Sequence, residues 1–315
     1  MKVLIIGLGS IASKHIDALR KIQVASAPHR IYALRSSRNA RPREGVTDIY
    51  SIDEAIKLEP DFIIISNPTS MHADAIRAVA HSGIPLMIEK PLFEAPTHDL
   101  LVDCIHKADT LTYVACNLRF LHCLNFVDKH LRSKAMPRRI NEVNIYCGSS
   151  LPGWRPGSDY RKSYSATPEM GGGVHLDLIH EIDYACHLFG MPRHATGVCR
   201  SGSSIGIRAI DYANYTLVYD TFCANITLNY YRPDYRRTME IVFADDIWTV
   251  DLAANTVTDR SGKTIFSSQQ KIIDTYTDQM IYFTQIVAGH RITSINDIRH
   301  ANDILKIASK YERFD

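Results

Sequence analysis

The first 120 residues alternate short apolar runs with longer segments of helical periodicity. Val3-Leu4-Ile5-Ile6 and Phe62-Ile63-Ile64-Ile65 suit strands buried on both faces, and Arg30–Leu34, Ile84–Ile88 and Leu111–Ala115 read as further strands. Between them, Ser10–Ile22 repeats Ile11, Ala12, Ile16, Ala18, Leu19 and Ile22 at helical spacing. Ser51–Leu58 opens on a serine with Glu54 three residues later, the pattern of a capping box. Met71–His81 predicts a helix stopped by Gly83, and Thr97–Ala108 predicts another. Strands alternating with helices imply a doubly wound parallel sheet with right-handed crossovers.

Beyond about residue 135 the period changes. Ile140–Tyr146, Ala209–Tyr219, Cys223–Tyr230, Met239–Phe243 and Trp248–Leu252 alternate apolar and polar positions. That period of two predicts an antiparallel sheet with one covered face. One helix is expected from about Gly173 to Phe189, ended by Gly190 and Pro192, and two more over Asp274–Ala288 and Ile295–Tyr311. The pattern divides the chain into an α/β domain over residues 1–120 and an α+β domain with an open, mainly antiparallel sheet over 121–315.

Composition narrows the function classes. The 36 basic and 34 acidic residues leave a net charge of +2, which gives no basis for a general nucleic-acid or membrane-surface binder. Seven cysteines, an odd number without a C-x-x-C pair, indicate neither a disulfide framework nor a zinc ribbon, and no metal site is read. Reduced thiols in a cytoplasmic protein are the simpler reading. The apolar run Val3–Ile6 is too short for a signal peptide or a membrane span.

Candidate chemistry begins at Gly7-Leu8-Gly9-Ser10-Ile11-Ala12. This G-x-G-x-x-A follows a strand and opens a helix, the context in which the motif binds a dinucleotide. Gly7 permits the tight turn, Gly9 lets a pyrophosphate approach the backbone, and Ala12 allows helix and strand to pack closely. Ser10, Ile11 and Ala12 offer first-turn N–H groups to the phosphates. The second strand then ends in Leu34-Arg35-Ser36-Ser37-Arg38, without the acid that would hold the ribose of NAD. Arg35, Ser36 and Arg38 suit a 2′-phosphate, so NADP is expected in preference to NAD, which stays possible. A solvated basic turn is the plainer alternative.

Two further motifs follow apolar strands: Ser66-Asn67-Pro68-Thr69-Ser70-Met71-His72 and Glu89-Lys90-Pro91. With the glycine loop, with Asn117-Leu118-Arg119-Phe120, and with Gly171-Gly172-Gly173 leading to Asp177 and His180, they resemble the Gfo/Idh/MocA family of oxidoreductases over nearly the whole chain. The resemblance implies a Rossmann domain, a larger α+β domain, an active site between them, and a homodimer or homotetramer paired through the C-terminal sheet. It implies that Asn67, Pro68, Thr69, His72, Glu89, Lys90 and Asn117 line the cofactor, and that the Lys90–Pro91 bond is cis.

Hydride transfer at an alcohol carbon needs a base for the hydroxyl proton and a positive group near the developing alkoxide. Lys90 is expected to supply the charge. His180 is expected to exchange the proton, with Asp177 one helical turn earlier orienting it or binding a substrate hydroxyl. Here the sequence departs from the commoner D-x-x-x-H of the family, since Asp177-Leu178-Ile179-His180 is one residue shorter. His175 is a rival histidine.

Between Leu151 and Ala166, Trp154, Arg155, Tyr160, Arg161 and Tyr164 suit an anionic, polyhydroxylated ligand, to which Arg119 would add charge. A surface loop or a subunit contact is the alternative. The run also resembles a subgroup tied to sialic-acid-like sugar pathways, which points to a sugar acid or nucleotide sugar. The expected activity is that of an NAD(P)-dependent dehydrogenase or reductase acting on a sugar, sugar acid, nucleotide sugar or polyol. A non-catalytic NADP-binding regulator, or an enzyme that retains and recycles its cofactor, stays open.

Overall fold

The apolar runs of the N-terminal part assemble into one parallel sheet in a computed structural model that describes residues 1–23, 28–133, 138–289 and 294–314. Its strands are β1 (Lys2–Ile6), β2 (Arg30–Leu34), β3 (Val46–Ile49), β4 (Phe62–Ile65), β5 (Leu86–Ile88) and β6 (Thr112–Val114), in the order β3-β2-β1-β4-β5-β6. All neighbours pair in parallel. Order reverses beside β1, the switch point at which such sheets bind ligands beyond their carboxyl ends. Leu4, Ile5, Phe62, Ile63, Ile64 and Met87 are at most 1% exposed, because helices cover both faces of the sheet. The helices are α1 (Ser10–Ile22), α2 (Ile52–Lys57), α3 (His72–Val79) and α4 (Asp99–Lys107). The edge strand β3 was not anticipated: its Val-Thr-Asp-Ile sequence is short and buries only Ile49. Ser51 does sit at the N-cap of α2, but its side chain makes no cap hydrogen bond, so the capping box is not formed.

The alternating segments build a nine-stranded sheet. It comprises β7 (Ile140–Ser150), β8 (His194–Arg200), β9 (Tyr212–Val218), β10 (Cys223–Asn229), β11 (Tyr231–Phe243), β12 (Ile247–Asp251), β13 (Thr256–Thr258), β14 (Thr264–Ser267) and β15 (Glu312–Phe314), in the order β14-β13-β12-β11-β7-β10-β9-β8-β15. Pairing is antiparallel except between β7 and β10 and between β8 and β15. Alternate residues such as Val143, Ile145, Ala213, Tyr215, Ile226 and Ile241 are buried. The helices of this part are α5 (His122–Leu131), α6 (Val174–Asp177) and α7 (His180–Phe189), and α7 packs on β7 and β10. The single helix expected from Gly173 to Phe189 is therefore broken. Leu178, at φ −102° and ψ 30°, lies outside the helical well and separates α6 from α7.

Helices α8 (Thr275–Val287) and α9 (Ile298–Ala308) close the chain, followed by β15. The contacts group Met1–Cys116 with Tyr276–Leu305 as one unit, and Asn117–Thr275 with Lys306–Asp315 as the other. The sequence pattern places one boundary at residue 120. In the structure the chain leaves the first unit at Cys116 and returns to it with α8. There Phe283 meets Phe62 edge-on at 5.2 Å, and Gln279 accepts from Tyr113 at 3.2 Å.

Candidate functional site

In the first unit, Gly7 has φ +91°, and a Cβ on it would lie 2.3 Å from the Asn67 nitrogen. A side chain is therefore excluded twice, by backbone conformation and by the chain after β4. Ser66 Oγ donates to Gly7 O at 2.8 Å, tying the two loops together. Gly9 caps α1 with no side-chain bond, and a Cβ on it would meet nothing within 4 Å. The backbone at Gly9 is therefore open on the side its side chain would take, at the start of the first turn of α1, and Ala12 is fully buried. A pyrophosphate fits this arrangement.

At the end of β2 the expected trio divides. Arg35 Nη1 donates to Asp48 Oδ1 at 2.9 Å and Nη2 to Arg41 O at 3.3 Å, so Arg35 is committed within the fold. Ser36 and Arg38 are exposed, and the Arg38 guanidinium lies 4.4 Å over the Tyr50 ring. Arg43, which the sequence reading passed over, donates to Ser13 Oγ in α1 at 2.6 Å.

The Lys90–Pro91 bond is cis. Glu89 just before it is buried, and His15 Nε2 of α1 donates to its Oε1 at 2.6 Å. Glu89 Oε2 accepts from Lys90 N at 3.1 Å. Burial would raise the Glu89 carboxyl, but the His15 hydrogen bond and charge and the neighbouring Lys90 outweigh it, holding the group below its usual range. On the other side, His72 places Nδ1 3.1 Å from Leu92 O and Nε2 3.0 Å from Asn67 O. His72 is 1% exposed and its pKa is lowered, with burial outweighing the carbonyl contacts. His72 and Glu89 therefore hold the turn from inside the fold. Thr69 is likewise buried, Pro68 is exposed, and Lys90 and Asn67 are half-buried. His15 lies outside every motif, at a helical position like any other, so no sequence signal marked it.

In the second unit, Asp177 ends α6 and its Oδ2 accepts from Tyr230 Oη at 2.5 Å. Burial first, then the Asp177 charge, pushes the Tyr230 hydroxyl well above its ordinary value, so it stays a donor. The Tyr230 ring meets Trp154 edge-on at 5.4 Å, and Trp154 Nε1 donates to Ser149 Oγ at 2.9 Å. Trp154 borders a cavity of about 390 Å³ that also touches Ser149, Leu178, Tyr235 and Arg237. The segment after Trp154 folds into short 3₁₀ turns. Its Tyr160 Oη donates to Ile205 O and its Tyr164 Oη to Gly171 O, both at 2.9 Å. Arg155 is exposed, and the exposed Arg161 stacks on Tyr160 at 4.8 Å. Gly172 explains part of the glycine run, since a Cβ there would stand 2.2 Å from Tyr164 O.

His180 begins α7 and is buried. Because α6 and α7 are separate, Asp177 and His180 are not successive positions on one helical face, as their spacing had implied. The rival His175 packs edge-on against Tyr311 at 5.4 Å, and burial, helped by Arg313, lowers its pKa to about 4. Arg119, expected to add charge beside a substrate, pairs with a carboxylate inside its own unit. Its Nε and Nη2 donate to Asp183 at 2.9 and 2.7 Å, with both side chains at most 2% exposed. Asp183 thus balances the Arg119 charge where it is buried. Asn117 is also buried, and its Nδ2 donates to Thr275 Oγ1 at 2.7 Å. A second core pair joins Arg237 to Glu181 at 2.6 Å.

A glycine turn at the amino end of α1, on a parallel sheet of this order, marks a dinucleotide-binding Rossmann domain. Comparison with known families agrees. Residues 1–115 match the model described as an oxidoreductase family with an NAD-binding Rossmann fold, and residues 139–246 match the GFO/IDH/MocA C-terminal domain. The chain belongs to the Gfo/Idh/MocA family of oxidoreductases. A search of curated proteins gives no match. Among solved structures it is similar to UDP-N-acetylglucosamine 3-dehydrogenase GnnA from Acidithiobacillus ferrooxidans, at 18% identity and TM-score 0.76 over 98% of this chain and 95% of that one. GenD2 from gentamicin A biosynthesis, in complex with NAD, is 17% identical with TM-score 0.79 over 99% and 93%. Aldose-aldose oxidoreductase from Caulobacter crescentus is 16% identical with TM-score 0.80 over 98% and 95%. At these identities the likeness is one of fold. No helix among the described residues is long and apolar enough to cross a membrane.

Proposed function

We propose that this protein transfers a hydride between a nicotinamide cofactor, NADP in preference to NAD, and a hydroxyl or keto carbon of a sugar, sugar acid, nucleotide sugar or polyol. The observation that carries the reading is the Glu89-Lys90-Pro91 turn. It shares a unit with the glycine loop and is fixed by two buried histidines, His15 and His72. A surface lysine would need no such support.

The nicotinamide supplies the hydride acceptor or donor. Gly7 and Gly9 admit the pyrophosphate to the first turn of α1. Lys90 lowers the energy of the alkoxide as its proton leaves. His180, an imidazole, exchanges that proton. Asp177, steadied by Tyr230, binds a substrate hydroxyl. Trp154, Arg155, Tyr160, Arg161 and Tyr164 favour a polyhydroxylated, anionic ligand. The fold neighbours named for UDP-N-acetylglucosamine and aldoses support a carbohydrate class. Subunits pair through the open face of the nine-stranded sheet, whose half-exposed Asn144, Asn225 and Thr216 form a polar row.

The test is absorbance of reduced nicotinamide on mixing the protein and cofactor with a panel of aldoses, sugar acids and UDP-sugars. Turnover by the wild type, abolished in Lys90→Ala and His180→Ala variants that still bind cofactor, is expected. Cofactor binding without hydride transfer across the panel would instead indicate a regulatory protein.

A further inference from the structure

We propose that Arg43, held by Ser13, reads the 2′-phosphate of the cofactor and sets the choice of NADP over NAD, whereas Arg35 does not. The proposal rests on the cofactor reading of the glycine loop and assigns the residue that makes its selectivity.

Arg35 directly follows β2, the region from which an acid would hold the ribose of NAD. Its guanidinium is already engaged by the Asp48 carboxylate at 2.9 Å and the Arg41 carbonyl at 3.3 Å. The two side chains of the ion pair are 12% and 14% exposed. A guanidinium whose charge is cancelled in this way has little left to attract an incoming dianion. The pair also neutralises Asp48, whose bare carboxylate would repel a 2′-phosphate. Arg35 therefore builds the wall of the β2–β3 edge.

Arg43 lies in the connection from β2 to β3, and its situation is the reverse. Nη1 donates to Ser13 Oγ at 2.6 Å, and Ser13 Oγ in turn donates to Gly9 O at 3.4 Å. Gly9 is the N-cap of α1, so this chain of bonds holds the guanidinium beside the helix turn that receives the pyrophosphate. Ser13 is neutral. It orients the guanidinium without cancelling its charge, and among the described residues no carboxylate pairs with Arg43. Of five N–H donors in a planar fork, most stay available to phosphate oxygens. Arg38, stacked on Tyr50, keeps its charge as well, but among the described residues no hydrogen bond ties it to α1.

The experiment is equilibrium binding by calorimetry, with NADP⁺, NAD⁺, 2′,5′-ADP and 5′-AMP titrated into the intact protein. The wild type is expected to bind NADP⁺ and 2′,5′-ADP more tightly than their unphosphorylated counterparts. Arg43→Ala should weaken the two phosphorylated ligands about tenfold or more and leave the other two within about twofold. Arg43→Lys should recover part of the loss, and the double variant Arg35→Ala/Asp48→Ala should keep the preference. The proposal is overturned if Arg43→Ala weakens all four ligands alike or none, if the double variant alone abolishes the preference, or if the wild type gains nothing from the 2′-phosphate. A wild type that binds none of the four would bring down the cofactor reading itself, and this assignment with it.

Discussion

The Lys90 turn of the first unit and the Arg119–Asp183 region of the second both place charged groups among buried partners, to opposite ends. Around Lys90 the buried groups serve the half-buried one: His15 binds Glu89, Glu89 accepts from Lys90 N, and His72 grips the two flanking loops. Around Arg119 no charge is left to present, since guanidinium and carboxylate satisfy each other in the core. A lone arginine in a familiar motif is therefore no guide to ligand charge until its counterion is located. The same contrast recurs at the β2 edge, where Arg35 is neutralised and Arg43 is only oriented.

The comparison breaks most visibly at Arg119. Replacing it with alanine strands Asp183 in the core, and about 3–5 kcal/mol of stability should be lost in denaturant unfolding. A variant of wild-type stability with weakened substrate binding would place Arg119 at the ligand. At Lys90 the effect should fall on the chemistry. Lys90→Ala is expected to lower kcat about a thousandfold while cofactor affinity by titration and unfolding midpoint change little.

Next in size is a pH effect confined to the second unit. His175 is neutral when folded, with its pKa lowered to about 4, whereas an unfolded histidine titrates near 6.5. Its folded pKa is depressed, so the unfolded state binds the proton more tightly. The contribution is fully present above pH 6.5 and is lost as pH falls toward 4. About 2 kcal/mol should disappear between pH 7 and pH 5, and His175→Gln should flatten that part of the stability profile. An unchanged slope would show that other groups set it. The smallest effect is expected at Tyr230→Phe. Loss of the hydroxyl removes one bond that places Asp177 and should lower kcat/KM about tenfold with little change in fold; an unaltered kcat/KM would make Tyr230 a packing residue only.

Legibility in the sequence followed the reach of each interaction. The glycine loop, the Glu89-Lys90-Pro91 turn and the parallel strands were readable because their chemistry is contiguous: Gly7 needs its own φ, and each strand carries its own apolar run. His15, Tyr230, Asp183 and Asp48 act across 74, 53, 64 and 13 residues of chain, and nothing in their local spacing announces a partner. The break at Leu178 was missed for the same reason. Helical periodicity runs through it without interruption, and Asp177 is held by a tyrosine on a distant segment. The strands β3, β13, β14 and β15 have four residues or fewer, too few to establish a period.

The central claim is that the glycine loop and Lys90 serve hydride transfer. Its most direct test is a single-turnover reaction of the protein with NADP⁺ and carbon-deuterated aldoses, sugar acids and UDP-sugars, with the nicotinamide examined by mass spectrometry. This readout does not depend on cofactor release. Deuterium on the nicotinamide with the wild type, and none with Lys90→Ala at equal cofactor occupancy, is the predicted result. Equal transfer by both proteins, or none by the wild type with any member of the panel, would contradict the account.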